Sequence, residues 1–215
     1  MIRVENWGLI DYQAAWDKQE SLFNATLEKK QHHLPTENIL VLCEHPPVYT
    51  LGKNGDSENL LYNPQHIPLI RTNRGGDITY HGPGQIVGYP IFDLETFHIG
   101  LKEYIYRVEE AVILTLAHYG ITGTRLNNAT GVWLDVEDPN RCRKICAIGV
   151  KSSRFVTMHG FALNVNTDLN YFKNINPCGL KDKGVTTMST EVGQNVELGW
   201  VSTVLCSFFS RVFSL

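Results

Sequence analysis

The chain has 215 residues, 43% hydrophobic and 19% charged, too apolar for a disordered chain and long enough to bury roughly 70% of its unfolded surface without disulfides or metals. Its net charge of −3 supplies no dense cationic surface and argues against non-specific nucleic-acid binding. No run approaches the ~20 apolar residues of a membrane span, and the first residues lack a basic stretch followed by a long apolar one, so a cytoplasmic protein forming a single domain over 1–215 is expected.

Taken in chain order, Tyr12, Ala15, Trp16, Leu22, Phe23 and Leu27 recur at helical spacing and predict an amphipathic helix over 11–30. Asn38-Ile39-Leu40-Val41-Leu42-Cys43-Glu44 is a short apolar run closed by His45-Pro46-Pro47, a buried strand ending at a turn. Strand-like composition resumes at Val48-Tyr49-Thr50-Leu51. Leu101, Ile105, Val108, Val112, Leu116 and Ala117 mark a second helix over 99–119. Three strands follow over 131–136, 144–151 and 155–166, the first two joined by a polar turn around Pro139. A short helical turn over 168–174, with Thr167 or Asp168 as N-cap, and a helix over 196–213 complete the chain. Strands that succeed one another without intervening helices predict an α+β fold, a mixed, largely antiparallel sheet with helices packed against it.

Three segments carry chemistry. Arg74-Gly75-Gly76-Asp77-Ile78-Thr79-Tyr80-His81-Gly82-Pro83-Gly84-Gln85 holds four glycines in twelve residues, which lets backbone approach either a ligand or another strand. It matches neither a phosphate loop nor a dinucleotide-binding turn. In Met158-His159-Gly160-Phe161-Ala162-Leu163-Asn164, the alternation of small and large residues suits a strand lining a cavity; a lone histidine there is more often a structural hydrogen-bonding group than a catalyst. In Asn176-Pro177-Cys178-Gly179 a thiol lies in an irregular turn, where access favours a nucleophile, but it needs a nearby cation to lower its pKa. The odd count of five cysteines fits reduced thiols. Of these, Cys43, Cys146 and Cys206 read as structural and Cys142 as incidental to the polar turn. Cys142, Cys146 and His159 lack the paired spacing of a zinc site, so no metal is expected.

Together these segments resemble one family, the lipoyl(octanoyl) transferases of lipoate synthesis. The resemblance rests on Glu44-His45-Pro46-Pro47-Val48-Tyr49-Thr50-Leu51-Gly52, on Arg74-Gly75-Gly76 through Gln85 with Val87 and Tyr89-Pro90, and on Lys144-Ile145 with Ala147-Ile148-Gly149. It continues in His159-Gly160 with Ala162 to Val165 and in Pro177-Cys178-Gly179, in the family's order over about 10–213. It implies a fold related to the lipoate and biotin protein ligases and a catalytic dyad of Cys178 and Lys144, without cofactor or metal. Cys178 would take the octanoyl group from octanoyl-acyl carrier protein as a thioester. A specific lysine of a lipoyl domain, on 2-oxoacid dehydrogenase complexes or the glycine cleavage H protein, would then accept it as an amide. No nucleic acid or membrane partner is implied.

The same resemblance gives Arg74, Gly75, Gly76, Asp77, Ile78, Thr79, Tyr80 and His81, Ala147, Ile148 and Gly149, and Gly160, Phe161 and Ala162 as walls of the acyl pocket. There ~six or seven buried methylenes would supply up to ~5 kcal/mol. His81 and His159 would support the thioester. Strand alternation places Lys144 and Lys151 on opposite faces, so both cannot serve Cys178. The 135–143 turn looks longer than in shorter family members. Lys144, Lys151, Arg154, Arg141 and Arg143 are candidates for a basic patch that docks an acidic carrier. The rival readings are an ATP-dependent lipoate–protein ligase of the same fold, a papain-like cysteine hydrolase whose Cys-Gly-x-Cys-Trp signature is absent, and an inactive scaffold that binds lipoyl domains.

Overall fold

The computed structural model describes residues 2–63, 66–176 and 183–214. Strands β1 (Ile2–Leu9), β2 (Asn38–Glu44), β6 (Gln85–Ile91), β7 (Thr124–Leu126), β8 (Ala129–Leu134), β9 (Arg143–Ser153) and β10 (Val156–Asn164) form one sheet in the order β1-β2-β6-β10-β9-β8-β7. A short strand, β11 (Gly184–Val185), runs parallel to the start of β9. Among the described residues, only that pairing and β1 with β2 are parallel in this sheet. A second sheet orders β4 (Leu69–Arg71), β3 (Val48–Leu51) and β5 (Ile78–His81). Helices α1 (Tyr12–Gln31), α2 (Leu101–His118), α3 (Met188–Val192) and α4 (Leu198–Val212) complete the fold. The predicted α+β class with a mixed, largely antiparallel sheet is the one observed.

Both faces of the central strands are covered, which is why β2 reads as an unbroken apolar run and does not alternate. Leu40 and Leu42 of β2, Ile86 of β6, and Phe161 and Leu163 of β10 point to α2 and α4. Their neighbours Ile39, Val41, Cys43, Val87, Tyr89 and Ala162 face Ala15 of α1, as the two-residue period of a strand requires. Asp11 caps α1, its carboxylate accepting from the amides of Gln13 and Ala14. The small sheet has its own cluster, in which Tyr80 stacks on Tyr171 at 4.5 Å beside Tyr49 and Phe172.

The predicted helices appear within two residues of their expected ends, and Asp168 caps the 3-10 turn Leu169–Asn174 through the amide of Asn170. Among the described residues β1, β4, β5, β6, β7 and β11 lay outside the sequence reading; β4, β7 and β11 are only two or three residues long, and β5 lies within the glycine-rich segment. Half-exposed β1 carries Arg3, Glu5 and Asn6 and so shows little apolar alternation. In β6, Gly88 and Pro90 break a strand pattern. Pro90 is tolerated because the β6–β10 ladder is open beside it. Phe161 to Asn164 pair with Gly88 to Gln85, contact resumes where Thr157 N–H donates to Phe92 O, and between them His159 turns left-handed at φ 56°. The His159 amide, taken out of the ladder, donates to Gln19 Oε1 at 3.0 Å. A helix side chain thus replaces a strand carbonyl.

Phe209 of α4 stacks on Phe161 and Phe213 at 5.3 and 5.7 Å, joining the helical layer to β10. Phe209→Ala is expected to destabilise the protein by about 3–5 kcal/mol, read as a lower urea midpoint at an unchanged m-value.

Candidate active site

A cavity of about 490 Å³ opens over β9 and β10, within the roughly 300–1,000 Å³ of small-molecule sites. Arg74 to Thr79, His81, Lys144, Ala147, Ile148, Gly149, His159, Gly160, Phe161 and Ala162 all border it. Tyr80, expected in the same wall, does not. It alternates with His81 along β5 and is fully buried in the small sheet's cluster. The cavity is also bordered by Gln85 and Asn164, which sequence reasoning placed in the motifs but not in the site, and by Tyr12, Asn128, Thr130, Trp133 and Lys183, which it missed. Trp133 lies opposite Lys144 in the β8–β9 ladder. Once the two strands were predicted, that pairing was the one available signal.

The glycine-rich wall is built by Arg74. Its buried guanidinium donates to the carbonyls of Thr50, Gly75 and Asp77 and to Thr50 Oγ1, at 2.8 to 2.9 Å. The Gly75 amide then donates to Val150 O, which fastens the loop onto β9. Space here is consumed by backbone. A Cβ on Gly52 would meet Gly76 O at 2.0 Å, and one on Gly149 would meet Gly75 O at 2.8 Å. These glycines permit close packing of the wall, and the room for a ligand lies between it and the paired Ala147 and Ala162.

Motifs far apart in sequence join one polar network beneath this wall. Glu44 accepts from the Gly84 amide at 2.7 Å, in the turn after His81. Gln85 Nε2 donates to Tyr80 O and Asn164 Oδ1, so its Oε1 accepts from His81 Nδ1 at 2.8 Å. His81 Nε2 is then the acceptor of the Thr50 hydroxyl, a tautomer fixed by the network. Burial first, then the neighbouring His45 imidazole and the Arg74 charge, push the His81 pKa down to about 3. His159 is also pushed down to about 3, by burial, Arg74 and Lys151, while its Nε2 meets Asn73 Oδ1 at 2.6 Å. His45, lowered by burial, holds Ile10 O and the Tyr89 hydroxyl. Three neutral imidazoles therefore line or support the cavity.

Lys144 stands where β8, β9 and β11 meet. Its carbonyl accepts from Thr186 N at 2.9 Å, and its ammonium lies 4.5 Å from the centre of the Trp133 ring. The Lys151 ammonium lies 5.1 Å from the Phe23 ring of α1. Because β9 carries Ile145 as an extra residue against β8, so that Ile145 and Cys146 both enter the α2–α4 core, the strict alternation expected between Lys144 and Lys151 does not hold. Pro177, Cys178 and Gly179 lie outside the described residues. The chain leaves the described part at Asn176 and rejoins it at Lys183, which borders the cavity with Lys144. Burial makes the other thiols poor nucleophiles: Cys43 is pushed up to about 12, and Cys146 and Cys206 are also raised. Cys142 is not an exposed turn residue but is buried, its carbonyl covered by Gly184 N–H. Arg141 and Arg143, expected in a basic patch, are occupied. Arg143 pairs with Asp135 and Glu191, and Arg141 with Asp135. Among the described residues no group of three or more histidines, cysteines or carboxylates is arranged to hold a metal ion.

This arrangement of sheets is the fold of the lipoate and biotin protein ligases. It superposes on the bipartite lipoate protein ligase of Thermoplasma acidophilum, solved with its E2 lipoyl domain, with a TM-score of 0.72 at 16% identity, covering 98% of this chain and 82% of that one. The chain belongs to the lipoyl protein ligase A/B catalytic domain family, matched over residues 11–210. It is 51% identical to the octanoyltransferase of Cytophaga hutchinsonii over 227 residues, covering 100% of this chain and 93% of that protein. Identity to the octanoyltransferase of Parabacteroides distasonis is also 51%, over 99% of this chain and 98% of that protein.

The histidines make a pH prediction. Unfolded imidazoles take up protons near ~6.5, but His81 and His159 resist protonation in the fold down to about 3. Their contribution to stability is complete above ~6.5 and is lost progressively as pH falls toward 3. Two-dimensional NMR should show both as neutral, non-titrating imidazoles down to about pH 5, and the wild-type melting temperature should fall with pH more steeply than that of His81→Gln.

Proposed function

We propose that the chain is an octanoyltransferase forming a single catalytic domain over 1–215, in which Cys178 and Lys144 are the dyad. The observation that carries this reading is about half identity to octanoyltransferases along the whole chain, joined to a cavity bordered by both small apolar side chains and Lys144. The Cys178 thiolate attacks the thioester carbonyl of octanoyl-acyl carrier protein and expels the carrier thiolate, which takes a proton. The neutral ε-amine of a lipoyl-domain lysine, on a 2-oxoacid dehydrogenase complex or the glycine cleavage H protein, then attacks the Cys178 thioester. It forms the amide, loses a proton and frees the thiol.

A neighbouring ammonium is what such a thiol requires. Free cysteine near ~8.5 is a few per cent thiolate at neutral pH, and each unit of depression corresponds to ~1.4 kcal/mol. Neutral Lys144 would serve as the proton relay in the second half-reaction. Thioester to amide is downhill, so no nucleotide enters the scheme. His81 and His159, neutral and fixed, support the cavity in this reading and are not acids or bases of the reaction. No helix among the described residues is long and apolar enough to cross a membrane, in keeping with reaction in the cytoplasm between soluble carriers.

Mass spectrometry after mixing with octanoyl-acyl carrier protein should find one octanoyl adduct, on Cys178. Cys178→Ser should abolish both adduct and transfer, and Lys144→Ala should slow adduct formation by about 10²-fold or more, the scale of a lost acid–base group. Transfer that survives Cys178→Ser and depends on ATP would instead establish the ligase reading. Binding of lipoyl domains without any adduct would establish the scaffold.

A further inference from the structure

We propose that Glu109 is a positioning residue for Lys144; the inference rests on the dyad reading above for its catalytic meaning, though not for its geometry. Glu109 is a carboxylate of α2 buried to 7% exposure between the apolar residues Val108 and Val112, an environment that disfavours a charge unless both oxygens are engaged. Both are. Oε2 accepts from Arg125 Nε at 3.0 Å, and Oε1 accepts from the backbone amide of Gly131 at 3.0 Å. Arg125 is itself held, donating to Glu110 Oε2 and Tyr106 O and stacking on the Tyr106 ring at 3.7 Å.

Gly131 lies between two irregularities of β8: its pairing with β7 shifts between Leu126–Ala129 and Thr124–Trp133, and its pairing with β9 shifts between Val132 and Trp133. The Gly131 φ of +126° is disfavoured for any other residue. A Cβ on Gly131 would stand 2.6 Å from Cys146 O and 3.5 Å from Lys144 Cε. The Lys144 stem therefore passes over the bare glycine. The register shift then sets Trp133, with its indole N–H on Ala129 O, under the ammonium. A register shift leaves a strand amide without its ladder partner, and the Glu109 carboxylate supplies an acceptor for the Gly131 amide. An aliphatic residue at 109 would pack equally well in α2 but would leave Gly131 N–H unpaired and the bend unsupported.

The test compares wild type, Glu109→Ala and Glu109→Gln, whose amide oxygen still accepts from Gly131. Two readouts are used: octanoyl transfer kinetics and the Lys144 side-chain CH₂ resonances, assigned by their loss in Lys144→Arg and displaced upfield by the Trp133 ring. In Glu109→Ala these resonances should move to the ordinary lysine position, and kcat should fall about tenfold, equivalent to about 1.4 kcal/mol, with KM within about twofold. Glu109→Gln should keep the upfield resonances and most of kcat. Should Glu109→Ala fail to fold, Glu109→Leu, which fills the volume without an acceptor, replaces it with the same expectation. Unmoved Lys144 resonances in the acceptor-less variant, or equal loss in Glu109→Gln, would overturn the inference. Full activity of Lys144→Ala would instead overturn the dyad and leave the resonance test to decide the positioning.

Discussion

The arrangement depends on one buried cation. Arg74 directs its guanidinium N–H groups at backbone carbonyls of β3 and of its own loop, so a chain rich in glycine, which would otherwise lose the most conformational entropy on folding, is held as a fixed wall. The fork geometry of a guanidinium suits this task, since it presents several donors in one plane to acceptors that a lysine would reach singly. The charge has a second effect. It lowers the pKa of His81 and His159, adding to burial, and so keeps both imidazoles neutral beside an apolar cavity.

That neutrality is compatible with the proposal that this cavity receives an alkyl chain. A charged imidazole in the wall would retain water, whereas neutral rings engaged by Gln85, Thr50 and Asn73 leave the cavity's small apolar side chains to define it. The opening of the β6–β10 ladder at Pro90 and His159 works toward the same end. It brings a helix residue, Gln19, into the sheet's hydrogen bonding and leaves a strained left-handed residue at the cavity edge, the kind of backbone that persists where surrounding structure over-determines it. The cationic end is built by β8, β11 and the start of β9 around Lys144, while Ala147 further along the same β9 belongs to the apolar part.

Much of this was legible in the sequence, for identifiable reasons. Helical periodicity located α1, α2 and α4, because each buries one stripe. The apolar run at 38–44 located β2, because both its faces are covered. Pro90 and Gly88 hid β6, since the features that break a strand pattern are here accommodated by the open ladder. The motif residues were found by resemblance, but their work was not. Composition leaves the glycines open to a ligand or a neighbouring strand, and the resemblance takes them as room for the acyl chain, while the backbone contacts show Gly52 and Gly149 spent on close packing against Gly76 and Gly75. Tyr80 and His81 share one motif, yet alternation sends them to opposite sides of β5. Arg141 and Arg143 look like free cations until Asp135 and Glu191, one 56 residues downstream of the other, are placed against them. Glu109 is one acid among many in a helix until its distance to Gly131 is known.

The central claim is that the cavity between the Arg74 loop and β9–β10 receives the acyl chain, with its carbonyl at the Lys144 end. The most direct measurement is diffraction from crystals of the protein acylated by octanoyl-acyl carrier protein. The account predicts alkyl density between Ala147 and Ala162, beneath the Arg74 loop, running from a thioester carbonyl beside Lys144. An octanoyl chain lying outside this cavity, or entering it with its carbonyl at the His159 end, would contradict it.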